Sequence, residues 1–219
     1  MKKYLEILKK TKLFAGISEA DLGAMLSCLD AHLKSYQKGE TVLHRGESVR
    51  HLAVLVEGAL HVQSDDYWGN RSIINRIGVG DMFGEAYAAD GGEVMLSDVV
   101  AVEDSVVAFF DLTRLMTVCS SACEFHAQVI RNLFVIISAK NRALVRKLGH
   151  VTQRSTRDKL ISYLSEQARL HESSVFAIPF NRQQLADYLS VDRSAMSAEL
   201  CRMRDEGLLR FEKNRFELL

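Results

Sequence analysis

The chain has 219 residues, 47% of them hydrophobic, and 28 basic side chains balance 28 acidic ones. That length suits one large domain or two modest ones and leaves enough apolar material for a real core. No run of about 18 uninterrupted apolar residues is present, and Met1-Lys2-Lys3-Tyr4 leads into mixed charged sequence, so neither a membrane span nor a secretory signal is expected and the cytoplasm is the expected compartment.

The balanced charge hides an asymmetry. Residues 1–124 carry 12 Lys/Arg and 18 Asp/Glu, a net of −6, whereas residues 125–219 carry 16 and 10, a net of +6. From Phe125 to Arg157 there are seven basic residues and no acidic one. Such a division suggests either that the second half faces a polyanion or that it presents a solvated basic helix face. The four cysteines, Cys28, Cys119, Cys123 and Cys201, are expected as reduced thiols in a chain of this kind.

Leu5–Phe14 and Glu19–Leu33 have helical periodicity, with Ser18 and Asp21 spaced as in a capping box. From Ser35 to Asp111 the texture changes. Short apolar runs (Thr41–Leu43, Leu52–Val56, Leu60–Val62, Ile73-Ile74, Val99–Val102, Val106–Phe110) alternate with turns at Gly46, Gly58, Gly78 and Gly80. Repeated short strands of this spacing predict a sandwich or jelly roll. From Cys123 to Leu148 the period is helical again. Ile130, Leu133, Ile137, Leu144 and Leu148 form an a/d stripe, and Asn141 stands where its missing member would be. The stripe predicts a helix that pairs with a second copy, with Asn141 fixing register; an amphipathic helix packed on its own domain is the other reading. Gly149 and His150 interrupt the pattern as a hinge between domains.

The last third is the most legible. Thr156–Leu170 reads as a helix, and Val175–Ile178 as a short strand ended by Pro179, the single proline. Asn181 is a good N-cap with Gln184 three residues on, and it opens a helix Arg182–Leu189 that buries Leu185, Ala186 and Leu189. Ala186 is small, as a close and steep helix crossing requires. Ser190-Val191-Asp192 makes a three-residue turn, and Asp192 caps a second helix, Arg193–Glu206, whose inner face is Met196, Leu200 and Met203. Gly207 stops it. Leu208–Phe211 and Arg215–Leu218 then alternate around Glu212-Lys213-Asn214 as a hairpin. This is the pattern of a winged helix-turn-helix. The outward residues at the start of its second helix, Arg193, Ser194 and Ser197, are the candidates for base edges in a major groove, and Arg193 has the fork that matches guanine. Arg182, Arg202 and Lys213 are candidates for phosphate; a surface ion pair with Glu199 or Glu206 is the alternative for Arg202.

Leu13-Phe14 with Ile17-Ser18, Tyr36–Gly39 with Gly46 and Gly58, Gly80-Asp81-Met82-Phe83-Gly84-Glu85, and Asn181–Leu189 followed by Asp192-Arg193-Ser194, in that order, resemble the Crp-Fnr family of bacterial transcription regulators over nearly the whole chain. The resemblance implies an α+β chain: an N-terminal double-stranded β-helix (a jelly roll like that of cyclic-nucleotide-binding domains) over 1–120, a dimerisation helix over 121–149 and a winged helix-turn-helix over 150–219. It implies a homodimer on a palindromic double-stranded DNA operator, contact with RNA polymerase, and control by a small effector. In the family Gly84-Glu85 would open the nucleotide cassette, and an arginine followed by serine or threonine would meet the cyclic phosphate. This chain departs there. Met95 falls at the arginine position and Leu96 at the next, within Glu93–Asp98, which contains two acids and no base. A buried phosphodiester needs a permanent, bidentate cation. The expected effector is therefore an unidentified molecule other than cyclic AMP or cyclic GMP, in a pocket lined by Gly84, Glu85, Met95 and Asn141.

Other classes fit the residues less well. Cys119, Cys123 and His126 would share a helical face and could hold a thiophilic metal or oxidise, against the plainer reading of small semi-buried residues; a structural zinc site wants a fourth ligand, and none is within sequence reach. A metal-dependent β-barrel enzyme would need clustered histidines, and His44, His51 and His61 show no close pair. No hydrolase triad, phosphate-cradling glycine loop or zinc-protease motif is present. The expectation is a regulator without catalytic residues, metal or cofactor.

Overall fold

The computed structural model describes residues 2–89, 93–116 and 124–219. They divide into two compact units, residues 1–69 with 74–139 and residues 70–73 with 140–219.

The first unit begins with α1 (Lys2–Lys10) and α2 (Glu19–Cys28). The Ser18 hydroxyl oxygen accepts from Asp21 N at 3.2 Å, which caps α2 as its sequence predicts. Both helices are shorter than their periodicity suggests. Asp30, at φ +52°, turns the chain out of α2, and the Ala31 N–H returns to Leu26 O at 2.9 Å. Leu33, expected in the helix, lies instead in strand β1 (His32–Tyr36).

Seven further strands follow: β2 (Thr41–Leu43), β3 (His51–Glu57), β4 (Leu60–Asp65), β5 (Arg71–Ile77), β6 (Met82–Phe83), then, after the short helix α3 (Glu85–Ala88), β7 (Asp98–Ala101) and β8 (Ser105–Asp111). They form two four-stranded sheets, ordered β1-β8-β3-β6 and β2-β7-β4-β5. This interleaving is that of the predicted jelly roll. β3 is buried along Leu52–Val56 on both of its faces, which explains its unbroken apolar run. Phe14, from the turn after α1, sets its ring edge-on against Phe110 of β8 at 5.5 Å, so the N-terminal helices are part of this core.

After α4 (Leu112–Met116) comes the long helix α5 (Glu124–Val151). It carries two apolar stripes. Val129 and Leu133 enter the first unit's core, with Ile136 packed beside them, and Asn132 Nδ2 donates to Leu13 O and Ala15 O, both at 2.9 Å. Leu133 is therefore not on an outward seam: it is 6% exposed and belongs to its own domain. Phe134, one residue on and 72% exposed, takes the place that the sequence pattern assigned to it. The helix also runs straight through Gly149 and His150, and the break expected there falls at residues 152–155.

The second unit adds α6 (Thr156–Leu170), β9 (Val175–Ala177), α7 (Arg182–Leu189), α8 (Arg193–Asp205), β10 (Leu209–Glu212) and β11 (Arg215–Leu218). Leu160 and Leu164 of α6, Leu185 and Leu189 of α7, and Met196, Leu200 and Met203 of α8 share one core. The three strands pair in the order β10-β11-β9, and Phe211, Phe216 and Phe176 lie side by side across them.

Candidate nucleic-acid interface

The turn between α7 and α8 is built by short-range chemistry. The Asn181 side chain accepts from Gln184 N and the Gln184 side chain accepts from Asn181 N, each at 2.9 Å, closing a full capping box. Ser190 adopts φ +53°, and the Val191 N–H bonds Ala186 O at 3.0 Å. Lys159 of α6 reaches the free carbonyls of Leu189 and Ser190 at 3.3 and 3.2 Å. Asp192 caps α8 by accepting from Ala195 N at 2.8 Å. Bonds from the Ser194 hydroxyl and the Ala195 N–H hold its carboxyl below the usual carboxylate range.

This turn presents α8 with one face buried and the other bare. Arg193, Ser194 and Ala198 are exposed and Ser197 is half-buried. Ser194 donates to the Asp192 carboxylate, and Ser197 donates to Arg193 O at 2.9 Å, so both hydroxyl protons are engaged within the protein. Arg193 makes no ion pair among the described residues, and its five donors stand ready.

The other candidate cations differ in kind. Arg202 pairs with Glu199 at 3.2 Å, as its alternative reading had it. Arg182 lies under the wing rather than beside it, with its guanidinium 4.7 Å from the Phe211 ring centre and 5.1 Å from that of Phe216. Burial lowers its pKa, and its buried Nη1 has no hydrogen-bond partner among the described residues. Lys213 sits exposed at the wing tip at φ +51°, and Asn214 beside it ties the tip to Ile178 O at 2.9 Å.

One supporting pair leaves only a faint local signal in the sequence. Glu199 is almost wholly buried on the inner side of α8, where Arg157 of α6 reaches it at 3.3 Å and also grips Glu206 through both terminal nitrogens. An acid at Glu199, inside the apolar series Met196, Leu200, Met203, is the only hint a reader of the sequence could have used.

The effector residues lie elsewhere. Gly84 has φ +81°, and a Cβ there would come within 3.1 Å of His51 O, so glycine is required where β6 turns into α3. Glu85 opens α3, whose Tyr87 hydroxyl accepts from Leu96 N at 3.3 Å. Met95 bonds the loop after β2 through its backbone, with Gly46 N to Met95 O at 2.8 Å and Met95 N to Glu47 O at 2.9 Å. Its side chain is 3% exposed and joins the apolar core. Asn141 is exposed on α5 and belongs to the second unit. Cys119 and Cys123 lie outside the described residues. Among those residues no group of three or more His, Cys, Asp or Glu side chains is placed to hold a metal, and no helix is long and apolar enough to cross a membrane.

Two domain families match this chain: the cyclic nucleotide-binding domain over residues 33–122, and the Crp-like helix-turn-helix domain over residues 158–219. The chain belongs to the Crp-Fnr family of transcription regulators. It is a DNA-binding regulator of that type and not an enzyme. Among its relatives, the probable transcriptional regulator flp of Lacticaseibacillus casei is 26% identical over 81% of this chain and 78% of its own length. The cyclic AMP receptor protein of Thermus thermophilus is 22% identical over 93% of this chain and 90% of its own. The fold is shared with the c-di-GMP responsive global regulator CLP of Xanthomonas campestris, at a TM-score of 0.72 and 17% identity over 90% of this chain and 99% of that one.

Lys147, near the end of α5, stands 4.3 Å above the Tyr188 ring of α7, and burial pushes its pKa down to about 8 from an ordinary 10.5. Below pH 8 folded and unfolded chains both carry this charge, and the burial penalty is fully present. As pH rises from about 8 to 10.5 the folded chain releases the proton first, so stability gains. Urea denaturation from pH 7.5 to 10.5 is expected to show wild type gaining on Lys147→Met with rising pH; parallel curves would refute the assignment.

Proposed function

We propose that the chain works as a homodimer that reads a palindromic operator, with α8 as the recognition helix and α5 as the pairing helix. The observation that carries this reading is the bare leading edge of α8. Arg193 stands there without an ion pair among the described residues, on a helix clamped from behind by its core and by Arg157. In the major groove its fork would bridge the O6 and N7 acceptors of a guanine. Ser194 and Ser197 would serve beside it as acceptors or through short polar contacts. Lys213 at the wing tip would meet phosphate, Arg202 would do so only by leaving Glu199, and Arg182 would act chiefly by holding the wing.

The outward stripe of α5 supports pairing. Phe134, Ile137, Leu144 and Leu148 are all exposed, with Ile130 half-buried at one end and Asn141 in the middle. Apolar side chains at these spacings on a single helix are what a coiled-coil partner covers, and an asparagine at one such position selects register. Contact with RNA polymerase and a cytoplasmic location follow from the same reading.

The effector is a small molecule other than a cyclic nucleotide. Met95, buried in the apolar core at the position that the resemblance gives to the phosphate-binding arginine, offers a phosphodiester neither charge nor a side-chain donor.

Two experiments test the proposal. DNA selected from a random pool by the purified protein is expected to be palindromic. Arg193→Ala should then weaken binding by about 1–3 kcal/mol and relax preference at one base pair of each half-site; unchanged specificity would remove α8 as the reader. Calorimetry with cyclic AMP and cyclic GMP is expected to show no saturable heat, and micromolar binding of either would refute the effector assignment.

A further inference from the structure

One carboxylate gathers most of the polar contacts at the joint between α5 and α6. Glu166 of α6 accepts from Arg146 Nε at 3.0 Å and from His150 Nε2 at 2.8 Å, both on the last turns of α5, and from Arg169 Nη2 of its own helix at 3.3 Å. The other nitrogen of the His150 ring, Nδ1, lies 2.7 Å from the Ser162 hydroxyl, and the ring stands edge-on to Tyr163 at 5.8 Å. His150 and Glu166 are nearly withdrawn from water, although a groove of about 480 Å³ opens beside them. The link itself is short, and Gln153 Nε2 and Thr152 Oγ1 fold back onto the Gly149 and Leu148 carbonyls at 2.9 and 2.8 Å.

The joint is therefore polar and directional. Apolar surfaces slide over one another at small cost, whereas each of these bonds survives only within a narrow range of angle and distance. Arg146 and His150 are one helical turn apart, as are Ser162 and Glu166, so the contacts fix the rotation of one helix about the other as well as their approach. The constraint continues to the reading head. Arg157, on the same α6, grips Glu199 of α8 and Glu206 just past its end. A rigid path of two charged clasps thus joins the pairing helix to the recognition helix through α6.

We propose that Glu166 is a positioning residue for DNA recognition: by clasping Arg146 and His150 it sets the angle between α5 and the helix-turn-helix, and so the separation of the two α8 helices in a dimer. The inference rests on the dimeric reading above. Replacing Glu166 with glutamine keeps the shape but leaves Arg146 and Arg169 facing one another without a counter-charge, which favours an open joint.

The test uses duplexes with two half-sites whose separation changes by one base pair at a time, together with a duplex that carries a single half-site. Wild type is expected to prefer one spacing by about tenfold or more over its neighbours. Glu166→Gln should flatten that preference while binding the single half-site within about twofold of wild type. Arg146→Met, at a more exposed position, should do the same and serves if the first variant folds poorly. Spacing preference retained in both variants would overturn the proposal, as would parallel loss of half-site and two-site binding. Absence of any spacing preference in wild type would instead overturn the dimeric reading on which it stands.

Discussion

A helix that reads base edges must surrender one face to its own protein and keep the other bare, and the two demands compete. In this chain the competition is resolved on α8. Met196, Leu200 and Met203 bury its inner face, while Arg193, Ser194 and Ala198 stay outside. Apolar packing alone would leave a short helix free to rock. Glu199 supplies the directional restraint, because a nearly buried carboxylate is tolerable only where a cation meets it, and Arg157 does so from α6. The cap at Asp192 and the left-handed Ser190 then fix where the helix starts.

The same logic recurs at the other end of α6, where Glu166 gathers donors from α5. Both clasps set a guanidinium against a carboxylate across a helix joint, and both lie within the second unit. If the proposed effector control holds, a change felt by the β-roll becomes a change at DNA, and coupling of that kind needs elements with defined arrangements rather than loose ones. Two charged clasps in series on one helix meet that requirement.

What could be read from the sequence tracks the range of the interactions. The helix-turn-helix was legible because its signals are local: Asn181 with Gln184, Asp192 with Ala195, Gly207 after the last turn. The jelly roll was legible as texture, since strands of two to seven residues alternate with turns, although no sequence pattern shows which strands pair. Leu133 was misplaced because α5 carries two interleaved apolar stripes, and an a/d reading cannot tell which one the first unit covers. Arg157 and Glu199, 42 residues apart, and His150 and Ser162, 12 apart, meet only after folding. The segment Glu93–Asp98 could be read as lacking any base, whereas the entry of the Met95 side chain into the core could not.

The measurement that bears most directly on the account is a hydroxyl-radical footprint of the protein on its selected operator. A dimer reading with two α8 helices predicts two protected segments centred about 34 Å apart, one helical turn, related by the symmetry of the site. A single protected segment, or uniform protection without a centre, would contradict it.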